Sequence, residues 1–122
     1  MENRQTSGET LAQAAQRYIE THSTEKFSLR EMAGAFYVNG SYLLRAFRRH
    51  TGMTPLNYHH QVRCRKAKEL LLRTDRSISE VGEMVGFVSS SHFTHIFREN
   101  EGCTPSEYRR RQKSGDGAEE GE

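Results

Sequence analysis

Proline and cysteine are scarce in this sequence, and long apolar runs are missing from it. Two prolines stand in 122 residues, Pro55 and Pro105, each directly after a threonine. Cys64 and Cys103 stand singly, without a second cysteine or a histidine at zinc-finger spacing, which argues against a disulfide framework and a structural zinc. No apolar stretch approaches the length of a bilayer-spanning helix, and the N-terminus lacks a basic start followed by an apolar run. We therefore expect reduced cysteines that act as packing residues in a cytoplasmic protein.

Recognisable catalytic motifs are also missing. The sequence shows no Ser-His-acid order, no phosphate-binding glycine loop and no paired carboxylates. His92 and His95 lie three residues apart on a predicted helix, but no third ligand is near, so we expect neither a metal nor a cofactor. His59 and His60 are adjacent and so point in different directions, which favours a solvated surface. A chain of this length has room for a modest core only, and it is expected to be a non-enzymatic protein that acts through its surface.

Positive and negative charges are unevenly distributed along the chain. Between Lys26 and Lys113, 16 lysines and arginines outnumber 8 aspartates and glutamates, an excess of eight positive charges. Residues 114–122 hold four acidic residues and no basic one, and we expect this segment to be disordered. The formal net charge of the whole chain is only +2. The basic middle indicates a polyanion as the first partner to consider.

A repeat is the most informative feature of the sequence. "GMTPLNY", from Gly52 to Tyr58, returns as "GCTPSEY" from Gly102 to Tyr108. Equivalent residues of the two copies lie fifty positions apart just upstream of these phrases, as Arg48 and Arg98 do. Before the turn that precedes this segment in each copy, the separation is forty-nine. One copy has therefore gained a residue in its turn, and the chain is expected to contain two copies of one structural unit.

Apolar residues at intervals of three and four indicate helices throughout. Each copy opens with the Ser-x-x-Glu signature of a helix start, at residues 28–31 and 77–80, followed by a turn rich in Gly, Asn and Ser and then a second helix. Gly-x-Thr-Pro then ends that helix and starts a third one. The sequence predicts an all-α fold of about seven helices, with two helix-turn-helix subdomains joined by a long linker helix.

The expected organisation has four parts. Residues 1–53 hold an N-terminal helix, from about Glu9 to Thr21 and packed on the first copy, and the first helix-turn-helix. Residues 54–74 are the linker helix, 75–113 the second helix-turn-helix with a C-terminal helix, and 114–122 a disordered acidic tail. The linker should be nearly 30 Å long at roughly 1.5 Å per residue. Because successive major-groove faces of double-stranded DNA lie about 34 Å apart, one chain could place two recognition helices in adjacent grooves.

The residues also resemble a known family. The stretch from Phe27 to Arg111, above all "GF" at Gly86 and Phe87 followed by "HF", "FR" and "G-x-TP-x-x-YR", resembles the DNA-binding domain of the AraC/XylS family of bacterial transcription regulators. The resemblance implies a sequence-specific transcription regulator, more commonly an activator, with RNA polymerase as a candidate second partner. We expect a monomer on DNA, unless the chain is a piece of a longer regulator with an effector domain.

The resemblance also implies which residues touch DNA. The implied base contacts are Ser41, Leu44, Arg45, Ser90, Ser91, His92 and His95. The implied phosphate contacts are Arg48, Arg49 and Arg98. Leu44 stands where a polar residue that contacts a base is common in the family. It therefore either touches a thymine methyl or is a partly buried packing residue. His95 replaces what is often an arginine, which weakens a contact to guanine, so we expect the first helix to dominate specificity.

The sequence leaves two alternatives open. The chain could be a basic helical module that binds nucleic acid or an acidic protein without reading sequence. The run from Arg109 to Arg111 is either a solvated helix end or a nonspecific phosphate anchor. Arg63 is expected to organise the junction between the two units rather than to touch DNA.

Overall fold

The computed structural model describes residues 10–113, and this part of the chain is helical, without a strand. Its seven helices are α1 (Leu11–Thr21), α2 (Leu29–Ala35), α3 (Gly40–Thr51), α4 (Pro55–Arg73), α5 (Ile78–Met84), α6 (Ser90–Glu101) and α7 (Pro105–Lys113). The predicted all-α fold is thereby confirmed. Helix α4 lies within residues 54–74, which were predicted to form the linker helix. The segment predicted to be disordered, residues 114–122, lies outside the described residues.

Polar side chains cap the short helices where the sequence predicted their starts. Before α2, the backbone N–H of Glu31 donates to Ser28 Oγ at 3.1 Å. Before α5, the N–H of Glu80 donates to Ser77 Oγ at 3.0 Å and the Glu80 carboxylate accepts the N–H of Ser77 at 2.9 Å. The Ser77 N–H, first, and the Ser77 hydroxyl hold the pKa of Glu80 below its ordinary value. The stability from this cap is therefore lost as the pH falls through that lowered pKa.

The repeated Gly-x-Thr-Pro phrase ends one helix and begins the next. Gly52 and Gly102 follow α3 and α6 in the left-handed conformation, with φ of 80° and 83°, which glycine adopts without a steric penalty. Two residues later, the hydroxyls of Thr54 and Thr104 each accept a backbone N–H of the next helix at 3.1 Å. The same corner is thus built twice.

The chain divides into two compact units between Val62 and Arg63. The core of the first unit consists of Ala12, Ala15, Ile19, Met32, Ala33, Leu43, Phe47, Tyr58 and Val62. Helix α1 supplies three of these residues, so its predicted packing on the first repeat is confirmed.

The core of the second unit contains more phenylalanine than the core of the first. It consists of Cys64, Ala67, Leu71, Val81, Val85, Phe87, Phe93 and Phe97. Burial, assisted by the carboxylate of Glu101, raises the pKa of Cys64 to about 12. Cys103 is buried as well. Both cysteines are packing residues, as predicted, and the Cys64 thiol is protonated at neutral pH.

The prediction that His59 lies on the solvated surface is wrong. This side chain is 2% exposed, and its ring centroid lies 5.4 Å from that of Phe27. Tyr58, His59 and Val62 occupy the i, i+1 and i+4 positions on one buried face of α4. This buried face is wider than the positions of the apolar residues in α4 indicate. His60, the next residue, is half-buried.

The two turns differ by one residue, and the backbone hydrogen bonds identify it. The N–H of Val38 donates to the carbonyl of Ala33 at 3.0 Å, and the N–H of Phe87 donates to that of Gly82 at 2.9 Å. These two bonds close equivalent turns. The additional residue of the second copy is therefore the one that follows, Val88, whose side chain is 97% exposed.

Both turns pass through the left-handed region, with different residues. Tyr37 has φ 57° in the first turn, and Gly86 has φ 113° in the second. A left-handed conformation costs a residue with a Cβ about 1–2 kcal/mol. The Tyr37 ring offsets little of this cost through packing, because the side chain is 96% exposed.

Gly82 lies where α5 packs most closely on α6. A Cβ placed on Gly82 would lie 2.7 Å from Cδ2 of Phe93. The corresponding positions of the first unit hold Ala33 and Leu43, which are both buried. From the first unit to the second, the residue on the shorter helix becomes smaller and the residue on the recognition helix becomes larger, so the two changes in volume offset each other.

We predict that Gly82→Ala lowers the free energy of unfolding of the second unit by about 1–3 kcal/mol, because the Phe93 ring must move. Adding Phe93→Leu, which recreates the residue pair of the first unit, should restore part of that loss. Urea unfolding of the whole chain, followed by circular dichroism, measures both single variants and the double variant. Purely additive losses in the double variant would show that the two positions do not compensate each other.

Candidate nucleic-acid interface

The recognition helix of the first unit, α3, has a buried side and an exposed side. Leu43 and Phe47 are fully buried on one side. The other side presents a stripe at i, i+3, i+4 and i+7 spacing, as expected of an amphipathic helix. The stripe consists of Ser41, Leu44, Arg45 and Arg48, with Arg49 beside it. All of these are exposed except Leu44, which is half-buried, so four of the five candidates on this helix can be reached from solvent.

The second recognition helix, α6, repeats this arrangement around buried Phe93 and Phe97. Its corresponding stripe consists of Ser91, Thr94, His95 and Arg98. Together with Ser90, these residues line a shallow open groove. Thr94 is absent from the sequence-based candidates, although its spacing from Ser91 and its correspondence to Leu44 could have identified it.

His92 occupies a different position on α6. Its backbone N–H donates to Oγ of the capping residue Ser89 at 3.1 Å. Its ring meets the ring of Phe87 edge-on, with 5.4 Å between the centroids. His92 is therefore exposed at the start of the recognition helix while its ring contacts an aromatic side chain of the core.

The two recognition helices differ in charge. Helix α3 carries Arg45, Arg48 and Arg49 and no acidic residue. Helix α6 carries one arginine, Arg98, and two glutamates. The position equivalent to Arg49 is one of these glutamates, Glu99. The first unit thus presents the stronger positive potential to a polyanion.

Comparison with known proteins identifies the family. Residues 32–111 match the helix-turn-helix domain family. A transcriptional regulator from Chromobacterium violaceum, described as an AraC-type DNA-binding domain-containing protein, has a solved structure with a TM-score of 0.80 and 28% identity, covering 92% of this chain and 99% of that one. The chain belongs to the AraC-type helix-turn-helix family. The resemblance and the fold predicted from the sequence are both confirmed.

Two further relatives of this AraC-type domain bear on its role. The transcriptional activator RhaS of Enterobacter sp. (strain 638) is 35% identical over 92 residues, which are 75% of this chain and 33% of RhaS. The DNA-binding domain of the global transcriptional factor AdpA, solved in complex with a target DNA, has a TM-score of 0.78 and 28% identity, covering 89% of this chain and all of that one. The chain spans about a third of the length of the curated relatives it matches.

Arg98 lies near the start of α7 in the AraC-type domain. The pKa of Glu107, in the first turn of α7, is lowered first by the hydrogen bond from the Thr104 N–H and further by the positive charges of Arg111 and Arg98. The positive charges of one residue of α6 and one residue of α7 therefore act on the same carboxylate.

Arg109 has a role that the sequence did not indicate. Its Nε donates to the carbonyl of Leu71 at 2.9 Å, and its terminal nitrogen donates to that of Thr74 at 3.2 Å. The last carbonyls of a helix have no N–H partner within the helix, and the Arg109 guanidinium supplies donors to them at the end of α4. Its positive charge also interacts favourably with the negative end of the helix dipole. Arg110 and Arg111 are exposed. The arginine run therefore combines one structural residue with two that are accessible to a partner.

Arg63 is removed from the surface as well. It is 6% exposed, its guanidinium carbon lies 5.0 Å from the centroid of the Phe87 ring, and burial lowers its pKa. A stacked guanidinium of this kind packs within the second unit and offers little to DNA. Its organising role at the junction of the two units stays a prediction.

Residues 10–113 hold neither a metal-binding cluster nor a membrane-spanning helix. Within this range no group of three or more His, Cys, Asp or Glu side chains is placed to hold a metal ion. No helix in the same range is long and apolar enough to cross a membrane.

We predict that Arg109→Ala lowers the free energy of unfolding by about 1.5–3 kcal/mol, because two partly buried hydrogen bonds from a charged donor are lost. Arg110→Ala removes the same charge from the neighbouring exposed position and should leave stability within about 0.5 kcal/mol of the wild-type value. Thermal unfolding of the two variants compares them directly. Equal stability of the two variants would mean that the Arg109 hydrogen bonds are not maintained in solution.

Proposed function

We propose that this chain is the DNA-reading part of a sequence-specific transcription regulator that inserts α3 and α6 into successive major grooves. The observation that carries the proposal is the division of each recognition helix into a buried aromatic side and an exposed polar stripe. An α-helix presented in this way fits the major groove, where every base pair shows a distinct set of donors, acceptors and methyl groups. AdpA, whose related domain is solved on its target DNA, supports the same use of this fold here.

Phosphate contacts would position the protein, and base contacts would select the sequence. The proposed phosphate contacts are Arg48, Arg49 and Arg98. The proposed base contacts are Ser41, Leu44, Arg45, Ser90, Ser91, His92 and His95. Arg45 is the strongest reader among them, because a guanidinium can donate two hydrogen bonds to O6 and N7 of a guanine.

The two units would contribute unequally to binding. The first has three exposed arginines on its recognition helix, whereas the second has His95 where the first has Arg45 and Glu99 where it has Arg49. Arginine gives both charge and bidentate hydrogen bonds that a neutral imidazole lacks. The first unit is therefore proposed to dominate affinity and specificity.

The regulatory output would follow from the place at which the domain binds. A protein bound beside a promoter either recruits RNA polymerase or blocks it, and activation is proposed by analogy with the activator RhaS. No chemical step is required, so the chain is proposed to act without catalysis or a cofactor. Because two readers lie in one chain, it is proposed to bind DNA as a monomer.

Selection from randomised duplexes tests this proposal against a basic module that does not read sequence. The purified chain would be incubated with the pool at physiological salt, and bound duplexes would be recovered through several rounds and sequenced. Two short motifs about one helical turn apart support the bipartite reader. A single motif restricts reading to one helix, and retention of DNA without enrichment rejects sequence-specific regulation by this chain.

A matched pair of variants on α3 separates base contacts from phosphate contacts. Arg45→Ala should cost about 1–3 kcal/mol on the selected duplex and relax the preference at one base position. Arg49→Ala removes the same charge from the same helix, but it should weaken all duplexes alike and reduce the salt slope by about one. Titration of both variants against the selected duplex and single-base variants of it, at several salt concentrations, measures these effects. A loss with Arg45→Ala that is equal on every duplex would assign Arg45 to a phosphate instead.

A further inference from the structure

Residues 114–122 oppose the charge of the domain to which they are joined. Asp116, Glu119, Glu120 and Glu122 give this tail four negative charges and no positive one, whereas residues 26–113 carry an excess of eight positive charges. The tail follows α7 directly, and the last turn of α7 is basic, with Arg110, Arg111 and Lys113. A polyanion of the chain's own is thus tethered beside the surface proposed to bind DNA.

The cations nearest to the tether differ in availability. Arg109 is committed to the carbonyls at the end of α4, and Lys113 Nζ lies 3.2 Å from Oδ1 of Asp75. Arg98, Arg110 and Arg111 are exposed, and the charges of Arg98 and Arg111 both help to lower the pKa of Glu107. Arg98 lines one groove with Ser90, Ser91, Thr94 and His95, and Arg111 lies in the last turn of α7. We call this surface, from Ser91 to Arg98 on α6 and at Arg111 on α7, the α6–α7 face.

The tail is long enough to cover this face. Nine extended residues reach roughly 30 Å at about 3.3–3.6 Å each. Helix α6 has 12 residues, which correspond to about 18 Å at 1.5 Å per residue. Helix α7, from which the tail continues, packs on α6 in the same unit, and the reach of the tail exceeds the length of α6. A short tether also keeps the tail at a millimolar effective concentration, on the order of that of short flexible linkers.

We propose that the acidic tail binds the α6–α7 face within the same chain and competes there with DNA phosphates. This proposal rests on the DNA-reading function argued above. Glu119 and Glu120 supply two of the four negative charges of the tail. The competition lowers the affinity of the second unit for every duplex and weakens as salt screens the charges. The tail would thus increase the dependence of binding on the first recognition helix.

The test compares two full-length variants with the same change of charge. Glu119→Gln/Glu120→Gln neutralises two residues of the tail. Glu69→Gln/Glu83→Gln neutralises two exposed residues on α4 and α5. Each variant changes the formal net charge from the wild-type value of +2 by two positive units, so any difference between them reports the location of the charge.

Two measurements are made on each variant. Without DNA, backbone amide NMR signals of Ser91, His95 and Arg98 should move in the tail variant at low salt and stay in place in the control. With duplex DNA at low salt, the tail variant should bind about two- to fivefold more tightly than the wild type, as expected for the loss of two exposed ion contacts. The control should show less than half of that gain, and raising the salt should remove the difference.

The outcomes separate this proposal from the proposed function. Unchanged amide signals in the tail variant, or movement confined to α3, would overturn the assigned surface whatever the DNA result. Moved signals with unchanged DNA affinity would overturn the competition. Selective DNA binding together with unchanged signals would leave the regulator function intact and remove only the tail contact. Failure of every chain to select a duplex would reject the function, while the DNA-free signals would still decide whether the tail binds.

Discussion

In each unit, contact between a phenylalanine of the recognition helix and a tyrosine of the following helix fixes the orientation of the recognition helix. The ring of Phe47 lies 5.8 Å from that of Tyr58, and the ring of Phe97 lies 5.8 Å from that of Tyr108. Both phenylalanines are fully buried. Rotating either helix by one residue would turn its ring into water, at a cost of about 1.5–3 kcal/mol. The polar stripe faces outward because the opposite side of the helix has only one good place to pack.

This constraint explains the repeated sequence phrase. In each copy the glycine ends the recognition helix in a left-handed conformation, the threonine hydroxyl caps the next helix, and the tyrosine brings that helix back against the recognition helix. These three roles depend on fixed spacing, since the corner has to turn before the tyrosine can reach the phenylalanine. Between them the residue types are free to differ, as "GMTPLNY" and "GCTPSEY" do.

Much of the fold could be predicted from the sequence because its signals are local. Ser77 and Glu80 are three residues apart and bond to each other, so their pattern is visible in the chain itself. The role of Arg109 is not visible in this way, because the carbonyl of Leu71 that it meets is 38 residues distant. The burial of His59 likewise depends on how wide a face of α4 is covered, which periodicity of apolar residues underestimates.

The site was predictable to a different degree. The stripe on each recognition helix follows from helical spacing, and the repeat register then places Arg45 and His95 at equivalent points. The additional residue of the second turn could be counted but not located, because several alignments of the turn fit the sequence equally well. Only the hydrogen bonds that close the two turns identify it as Val88. Which bases the stripe meets depends on the DNA, and the chain alone does not contain that information.

Two recognition helices of unequal affinity can have the same fold because the residues that stabilise the fold lie on the buried side of each helix. Exchanging outward residues such as Arg49 and Glu99 changes stability little, since exposed substitutions usually fall within about 0.5 kcal/mol. It changes affinity for a polyanion much more. If the first unit binds DNA as proposed, the second would meet its groove as an intramolecular event at high effective concentration. A second recognition helix that binds weakly would then be sufficient, because its contacts need not capture the duplex on their own.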